Sequence, residues 1–194
     1  MAESQNNNKY YPKNIGIIMD GNGRWAIRNS LKISEGHKKG VGVVRDIVEE
    51  AVKRGIQSLT LYAFSSENWQ RPKREINAIK RLVIEAINEQ VPELKKKRVK
   101  LKFFGHLDDF GEKIQNKIFF AENETCFEEA KLSLNVALGY GGQQDIVDIV
   151  YKVSEEVSSG NLNSKDISKE TINSYSSVPV DEIDLLIRTG GDKR

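Results

Sequence analysis

A single cysteine, Cys126, among 194 residues rules out an internal disulfide, and one thiol cannot build a zinc site. That usage suits a reducing compartment. Cys126 lies in a stretch whose pattern predicts helix, where a free cysteine is expected as a small buried side chain. Long apolar runs are also missing. None approaches the roughly 20 residues a membrane helix needs. The opening MAESQNNNKYYPKN lacks the apolar core of a signal peptide. Residues 1–14 are expected to be a flexible polar tail, and the chain to be soluble and cytoplasmic without a transmembrane segment. Charge of one sign is lacking too. Thirty basic against 28 acidic residues leave a formal charge of +2, so bulk electrostatics give no support to a nucleic-acid partner. His106 has no second histidine or carboxylate at ligand spacing and reads as structural. Lys95 to Arg98 read as a solvated turn.

What is present is an ordinary globular balance, 38% hydrophobic and 30% charged, with length for one domain and a sizeable core. Residues 15–19 form a short apolar run that predicts a strand buried on both faces. After a loop, residues 36–54 predict a helix with Val41, Val44, Val48 and Val52 on one stripe and Gly55 as its stop. Further strands are expected at 56–64, 99–104, 131–138 and 183–188. Helices carry Ile76 to Ile87, Phe110 to Ile118, Ile146 to Val157, and a short one covers 165–176. This alternation predicts an α/β single domain, a mostly parallel open sheet covered by helices.

The polar, glycine-rich segments fall after the strands. Asp20-Gly21-Asn22-Gly23-Arg24-Trp25 follows the first, Ser65-Ser66-Glu67-Asn68-Trp69-Gln70-Arg71-Pro72 the second, Gly139 to Gly142 the fourth, and Arg188 to Arg194 the fifth. Ligands of open parallel sheets bind in the crevice outside the carboxyl strand ends, so the active site is expected there. Gly21 and Gly23 allow close backbone approach, amides at a helix start can hold phosphate oxygens, and the Arg24 fork matches a diphosphate. A carboxylate beside a diphosphate is repelled unless a divalent cation bridges them. Asp20 is therefore the expected metal ligand, and magnesium the expected metal, since it uses few carboxylates plus substrate phosphates.

Rival readings are weaker. A plain hairpin turn is not called for in a parallel βα unit. An EF-hand fails because Trp25 and Leu31 stand where glycine and glutamate are needed. The spacing Gly21-x-Gly23-x-x-Ala26 matches a dinucleotide fingerprint, but no acid closes the second strand, which ends near Phe64 with Glu67 the first acid beyond. Capping by Ser65 or Ser66 toward Glu67 or Asn68 explains part of the second segment, but neither Trp69 nor Arg71. A solvated loop is the bland reading of the last segment.

These residues resemble the cis-prenyltransferase family, the Z-type isoprenyl diphosphate synthases that include the bacterial undecaprenyl diphosphate synthases. The resemblance runs from about Ile15 to the end through MDGNGRWA, Gly36-His37, LYAFSSENWxRP, YGG and IRTGG. It implies cis condensation of isopentenyl diphosphate onto an allylic diphosphate, usually farnesyl diphosphate, by a homodimer making transient membrane contact for product release. By the same resemblance Asp20 holds magnesium and helps ionise the primer. Gly21, Asn22, Gly23, Arg24, Trp25 and His37 surround its diphosphate. Ser65, Ser66, Glu67, Trp69 and Arg71 border the reacting groups, Asn68 is the family's proton acceptor, and Arg188 and Arg194 clamp isopentenyl diphosphate. An amide is a weak base, so we expect Asn68 to orient the proton rather than take it. The growing chain needs an apolar tunnel, for which Ile76–Ile87 and Val99–Phe104 are candidate walls.

Three departures stand out. Ile33, beside Lys32, replaces an arginine usual in the family four residues before His37, and Gly139 replaces the usual asparagine before Tyr140. The chain also stops at Arg194, where the family continues with a serine-containing segment, a second acidic magnesium ligand and part of the dimer interface. Residues 15–194 are thus expected to be a catalytic domain that is C-terminally incomplete and needs residues beyond Arg194 for turnover. The alternative is a truncated or non-catalytic isoprenoid-diphosphate-binding chain or partner subunit.

Overall fold

The computed structural model describes residues 11–180 and 182–191. Five strands, β1 (Asn14–Ile18), β2 (Ser58–Ser65), β3 (Val99–Phe104), β4 (Leu132–Tyr140) and β5 (Leu185–Arg188), form one sheet in the order β3-β4-β2-β1-β5, and every pairing is parallel. Helices α1 (Asn22–Arg28), α2 (Ile33–Arg54), α3 (Lys73–Lys96), α4 (Glu112–Glu124), α5 (Gly142–Ser158) and α6 (Lys169–Tyr175) connect and cover it. Among the described residues, no helix is long and apolar enough to cross a membrane.

The main core lies under α2, α3 and α4, where Leu59, Leu61, Leu101 and Leu134 of the sheet meet Val48, Ile87 and Ile118. On the opposite face Asn135 Nδ2 donates to Ser58 Oγ at 2.9 Å, pairing two buried polar side chains. The open edge at β3 is closed by α4 and its cap. Phe103 N donates to Glu122 Oε1 at 2.7 Å and Leu101 N to Thr125 Oγ1 at 3.1 Å, which leaves less edge for another strand to pair with.

Several expectations are corrected. The stretch after β1 is not a loop throughout: Asn22–Arg28 is helical, and α2 begins at Ile33, with Lys32 N donating to Glu35 Oε2 at 2.8 Å as its first turn closes. Phe110 ends a separate 3-10 turn, since Gly111 at φ 86° breaks the chain before α4. Strand β4 continues through Gly139 to Tyr140, with Gly139 at φ 68° and register shifts in its pairing to β2. Cys126 is neither helical nor buried. Helix α4 stops at Glu124, Thr125 takes the buried position as cap and bonds Ala121 O at 2.8 Å, and Cys126 turns outward. The Lys95 to Arg98 run is a surface feature, but a paired one, with Lys95 on Glu124, Lys96 on Glu93 and Lys97 on Glu49. His106 Nε2 lies 2.9 Å from Asp148 Oδ2, a partner that sequence spacing could not reveal.

Helices α1 and α2 meet through glycine. A Cβ on Gly36 would overlap the Asn22 carbonyl and one on Gly40 would press on the Asn22 side chain, whereas Gly42 faces open space. Gly36→Ala is therefore expected to cost about 1–3 kcal/mol through overpacking. Thermal denaturation should show a lowered midpoint for Gly36→Ala and none for Gly42→Ala.

Candidate functional site

The end of β1 is tied to the end of β5. Asp20 N donates to Thr189 Oγ1 at 3.0 Å, and Thr189 Oγ1 donates back to Asp20 O at 2.7 Å. Arg188 reaches Asp20 Oδ2 through Nη2 at 2.8 Å and Nε at 3.3 Å. From one turn into α1, Arg24 Nη2 donates to Asp20 Oδ1 and to Gly190 O, each at 3.1 Å. The Arg188 hydrogen bond is the main reason the Asp20 carboxyl sits below the usual carboxylate range, with Arg24 adding to it. Gly21 caps α1 at φ 92°, a conformation that disfavours side chains. A Cβ on Gly190 would stand 2.5 Å from the Asp20 carboxylate.

An open cleft of about 690 Å³ lies over this cluster, bordered by Asp20, Gly21, Arg24, Trp25, Arg28 and Lys39. Beneath it, between the sheet and helices α2 and α3, lies an apolar cavity of about 200 Å³. Met19, Asn22, Val44 and Leu61 belong to both, so the two spaces share a wall. Asn22, His37, Asn68 and Arg71 are the polar residues where the cavity meets the strand ends. Its walls include Ile79, Val83, Ala86 and Ile87 of α3 and Leu101 and Phe103 of β3, inside the stretches expected to line a tunnel; Ile76 is packed elsewhere.

The second segment divides in two. Asn68 Oδ1 accepts from Ser65 N at 3.2 Å, and Arg71 Nη1 pairs with Glu75 Oε1 at 2.7 Å. Both residues line the cavity. Ser65, Ser66 and Glu67 instead form the turn's own network, in which the Ser65 hydroxyl holds the Glu67 carboxyl below its ordinary range. Trp69 packs against Phe64 and Phe110, with ring centroids 4.9 Å from each, and lines neither space. The Gly139–Gly142 segment abuts this turn, since a Cβ on Gly141 would collide with Ser66 Oγ. Arg194 lies outside the described residues.

Sequence reasoning missed Thr189, Lys39 and Arg28. Thr189 follows Arg188 directly, and Lys39 lies one turn beyond Gly36 on α2. The available signal was helical spacing for Arg28 and Lys39, and for Thr189 its place in the segment that follows the fifth strand. Ile33, which departs from the family's arginine, packs over Gly23, and the cations bordering the cleft are Arg24, Arg28 and Lys39.

A cation-lined mouth above an apolar cavity, at the carboxyl ends of a parallel sheet, is the site of a protein that handles an amphipathic anion. Residues 18–194 match the undecaprenyl diphosphate synthase family. The chain is 41% identical over 195 residues to the ditrans,polycis-undecaprenyl-diphosphate synthase ((2E,6E)-farnesyl-diphosphate specific) of Vibrio vulnificus, covering 100% of this chain and 77% of that one. It is 42% identical to the enzyme of that name from Yersinia pseudotuberculosis, covering 94% and 73%. Among solved structures, lavandulyl diphosphate synthase from Lavandula x intermedia, in complex with dimethylallyl diphosphate, superposes with TM-score 0.90 at 29% identity, covering 94% and 79%. A probable undecaprenyl diphosphate synthase from Campylobacter jejuni gives TM-score 0.74 at 28% identity, covering 95% and 78%. The chain belongs to the undecaprenyl diphosphate synthase family of cis-prenyltransferases.

His37 titrates below the ordinary 6.5, chiefly because burial disfavours the imidazolium and next because Arg71 repels it. The unfolded chain therefore takes up this proton first. The His37 contribution leaves stability unaffected above about 6.5 and lowers it as pH falls from there through the folded-state value. Urea midpoints of the native protein and His37→Asn across that range should diverge below about pH 6.5, with the native slope the steeper. Parallel curves would show that His37 is not held uncharged.

Proposed function

We propose that this chain is a magnesium-dependent cis-prenyltransferase. It condenses isopentenyl diphosphate onto an allylic diphosphate, farnesyl diphosphate, to make a long polyprenyl diphosphate such as undecaprenyl diphosphate, a lipid carrier precursor for cell-wall synthesis. The observation that carries this reading is the shared wall between the cation-lined cleft and the apolar cavity. A prenyl diphosphate has a multiply charged head on an apolar tail, and the two spaces divide at Asn22 as such a molecule does.

The head would be held by Arg24 and by backbone amides of Gly21, Asn22 and Gly23, with Arg28 and Lys39 adding positive charge at the cleft rim. Trp25 borders the same cleft, and His37 stands at the cavity mouth. Arg188, fixed on Asp20, and Arg194 are assigned to isopentenyl diphosphate.

The residues present fit magnesium. Among the described residues no group of three or more His, Cys, Asp or Glu could hold a metal, which disfavours a zinc-type site built by protein alone. Asp20 is one ionised carboxylate at an anion-binding cleft, the donor set magnesium uses when phosphate oxygens complete its shell. When bound, magnesium would neutralise charge growing on the departing diphosphate. Arg24 meets Asp20 as a solvent-exposed pair, worth about 0–1 kcal/mol, so it can exchange that partner for the ligand. Arg188 is more enclosed and makes two bonds to one oxygen, so it keeps the carboxylate aimed.

Asn68 orients the proton that isopentenyl diphosphate must lose toward its acceptor, a diphosphate oxygen or a water. Its carbonyl oxygen already accepts from Ser65 N, so the end it offers a ligand is the amide NH2, a donor. Arg71, held by Glu75, presents a cation beside it. The protein acts in the cytoplasm as a homodimer, and its product leaves through transient membrane contact. Val150 and Tyr151 of α5, and separately Leu186 of the edge strand β5, are exposed apolar side chains that a second copy would cover.

The test is incorporation of labelled isopentenyl diphosphate onto farnesyl diphosphate, with and without magnesium. Asp20→Ala should lower the rate by at least about 100-fold. Incorporation that ignores both magnesium and Asp20 would overturn the reading. Asn68→Asp and Asn68→Ala should both be slow, by about 100-fold. A native rate for Asn68→Asp would instead mark this position as a true base.

A further inference from the structure

Helix α4 is fastened to the edge of the sheet by one side only. Ile114, Ile118 and Ala121 are buried, and the Glu122 and Thr125 side chains accept from backbone amides of β3. Phe119 and Phe120 stand in solvent, 70% and 54% exposed, and Phe119 is the most exposed large apolar side chain among the described residues. Along the seam of α3 and α4 lies a groove of about 410 Å³. Ile84, Phe110 and Ile114 supply its apolar part, Lys80, Arg81 and Lys113 its cations, and no carboxylate lines it. On α4, Lys113, Lys117 and Phe120 follow one stripe at i, i+4 and i+7, so the groove and the exposed ring belong to one face.

The cations of this face are not neutralised. Lys80 Nζ donates to the Asp109 carbonyl at 2.9 Å and lies 5.1 Å and 5.6 Å from the ring centres of Trp69 and Phe110, partners that carry no charge. Arg81 and Lys113 are exposed and make no ion pair among the described residues, and Lys117 donates to the neutral Asn88 amide at 2.9 Å. Of the acids on α4, Glu122 is turned to Phe103 N and Glu124 pairs with Lys95, which leaves Glu112. Exposed aromatic rings beside unneutralised cations suit anionic lipid headgroups, the rings entering the acyl boundary and the cations meeting phosphate. A dissolved anion would account for the cations and leave both phenyl rings in water.

We propose that this face of α3 and α4 docks the protein on an anionic lipid bilayer. The inference deepens the membrane contact of the proposed function and rests on its prenyl product, a lipid whose destination is a bilayer. Lys95 pairs with Glu124, so Phe120, one turn before Glu124, stands at the same end of the helix pair as Leu94, the last residue of the cavity wall on α3. Docking by this face brings the far end of the apolar cavity toward the bilayer. The cation-lined cleft lies over the ends of β1 and β5, at the other edge of the sheet from β3 and α4, and stays open to soluble diphosphates.

Co-sedimentation with vesicles, in the absence of substrate, tests the docking face. The native protein should bind phosphatidylcholine vesicles that contain phosphatidylglycerol, bind pure phosphatidylcholine at least about tenfold more weakly, and lose affinity as salt rises. A basic residue at an anionic surface strengthens binding about fivefold, so Arg81→Gln with Lys113→Gln should weaken it about 25-fold. Phe119→Ser with Phe120→Ser should weaken it at least about tenfold. Lys165→Gln with Lys169→Gln removes the same charge at exposed positions elsewhere and should bind within about twofold of native. Thermal melts identify a double variant that does not fold, in which case the other decides. Equal binding to neutral and anionic vesicles, or folded variants that bind as native, would overturn the proposal. So would displacement by dissolved glycerol phosphate at matched ionic strength, which would make the groove a site for a free anion. Incorporation of labelled isopentenyl diphosphate onto farnesyl diphosphate, without vesicles, checks the prenyl reading separately, and none of the four substituted residues of this face lines the cleft or the cavity. A native protein that elongates but ignores anionic vesicles overturns the docking face alone. One that binds them as expected but does not elongate overturns the prenyl reading and leaves the docking face in place.

Discussion

The site depends on one ion pair across two strands that are far apart in sequence. Asp20 ends β1 and Arg188 ends β5, and parallel pairing sets Ile18 opposite Arg188. Two hydrogen bonds to one carboxylate oxygen and the reciprocal bonds of Thr189 leave Asp20 little freedom. The enclosed Arg188 contact and the exposed Arg24 contact differ in worth, because solvent screens the second more strongly. The two arginines look alike in sequence but stand in different surroundings, Arg188 the more enclosed and Arg24 the more exposed.

Backbone packing sets the cleft floor as firmly as charge does. Gly36 and Gly40 bring α2 against Asn22, and Gly190 lets the β5 end pass close to the Asp20 carboxylate. A side chain at any of these would push a polar group out of place. The glycines of the strand-end segments therefore act less as flexible hinges than as points where two chains must nearly touch. Gly21 at φ 92°, Gly139 at φ 68° and Gly191 at φ 75° are the ones whose conformation itself favours glycine.

Much of the sheet was legible because parallel buried strands read as short apolar runs. Val99–Phe104 was located to the residue, and the strand-end rule placed Asp20, Arg24 and Arg188 on one rim. Long-range partners were not legible. The pairing of His106 with Asp148 and of Arg45 with Gln90 joins elements whose approach no local pattern encodes. Cys126 shows a different limit. Helical periodicity continued past Glu124, but the hydroxyl of Thr125 had a better use as a cap to α4 and the edge of β3, and that ended the helix. The second segment was only partly readable, since cap-forming and ligand-facing residues alternate along one tight turn. Asn68 and Arg71 line the cavity while Ser65 and Glu67 bond to each other.

The cavity volume constrains how a long product could be held. At about 200 Å³ it is somewhat larger than the roughly 150 Å³ apolar cavity that takes a benzene ring. That is room for the first part of a prenyl tail. Burying hydrocarbon is worth about 0.8 kcal/mol per methylene, so one five-carbon unit supplies roughly 4 kcal/mol. The ion pairs that tie the far end of α3 to its neighbours, Lys95 with Glu124 on α4 and Lys97 with Glu49 on α2, lie at the surface and are worth about 0–1 kcal/mol each. Helix α3 also contains Pro92, which cannot donate to the Asn88 carbonyl and so weakens the helix near that end. On the proposed reading, a prenyl chain that pushed α3 away from the sheet would itself cover the apolar surfaces exposed. On that reading the energy balance would favour a growing tail opening this seam, while the bonds between Asp20 and Arg188 would hold the polar rim in place.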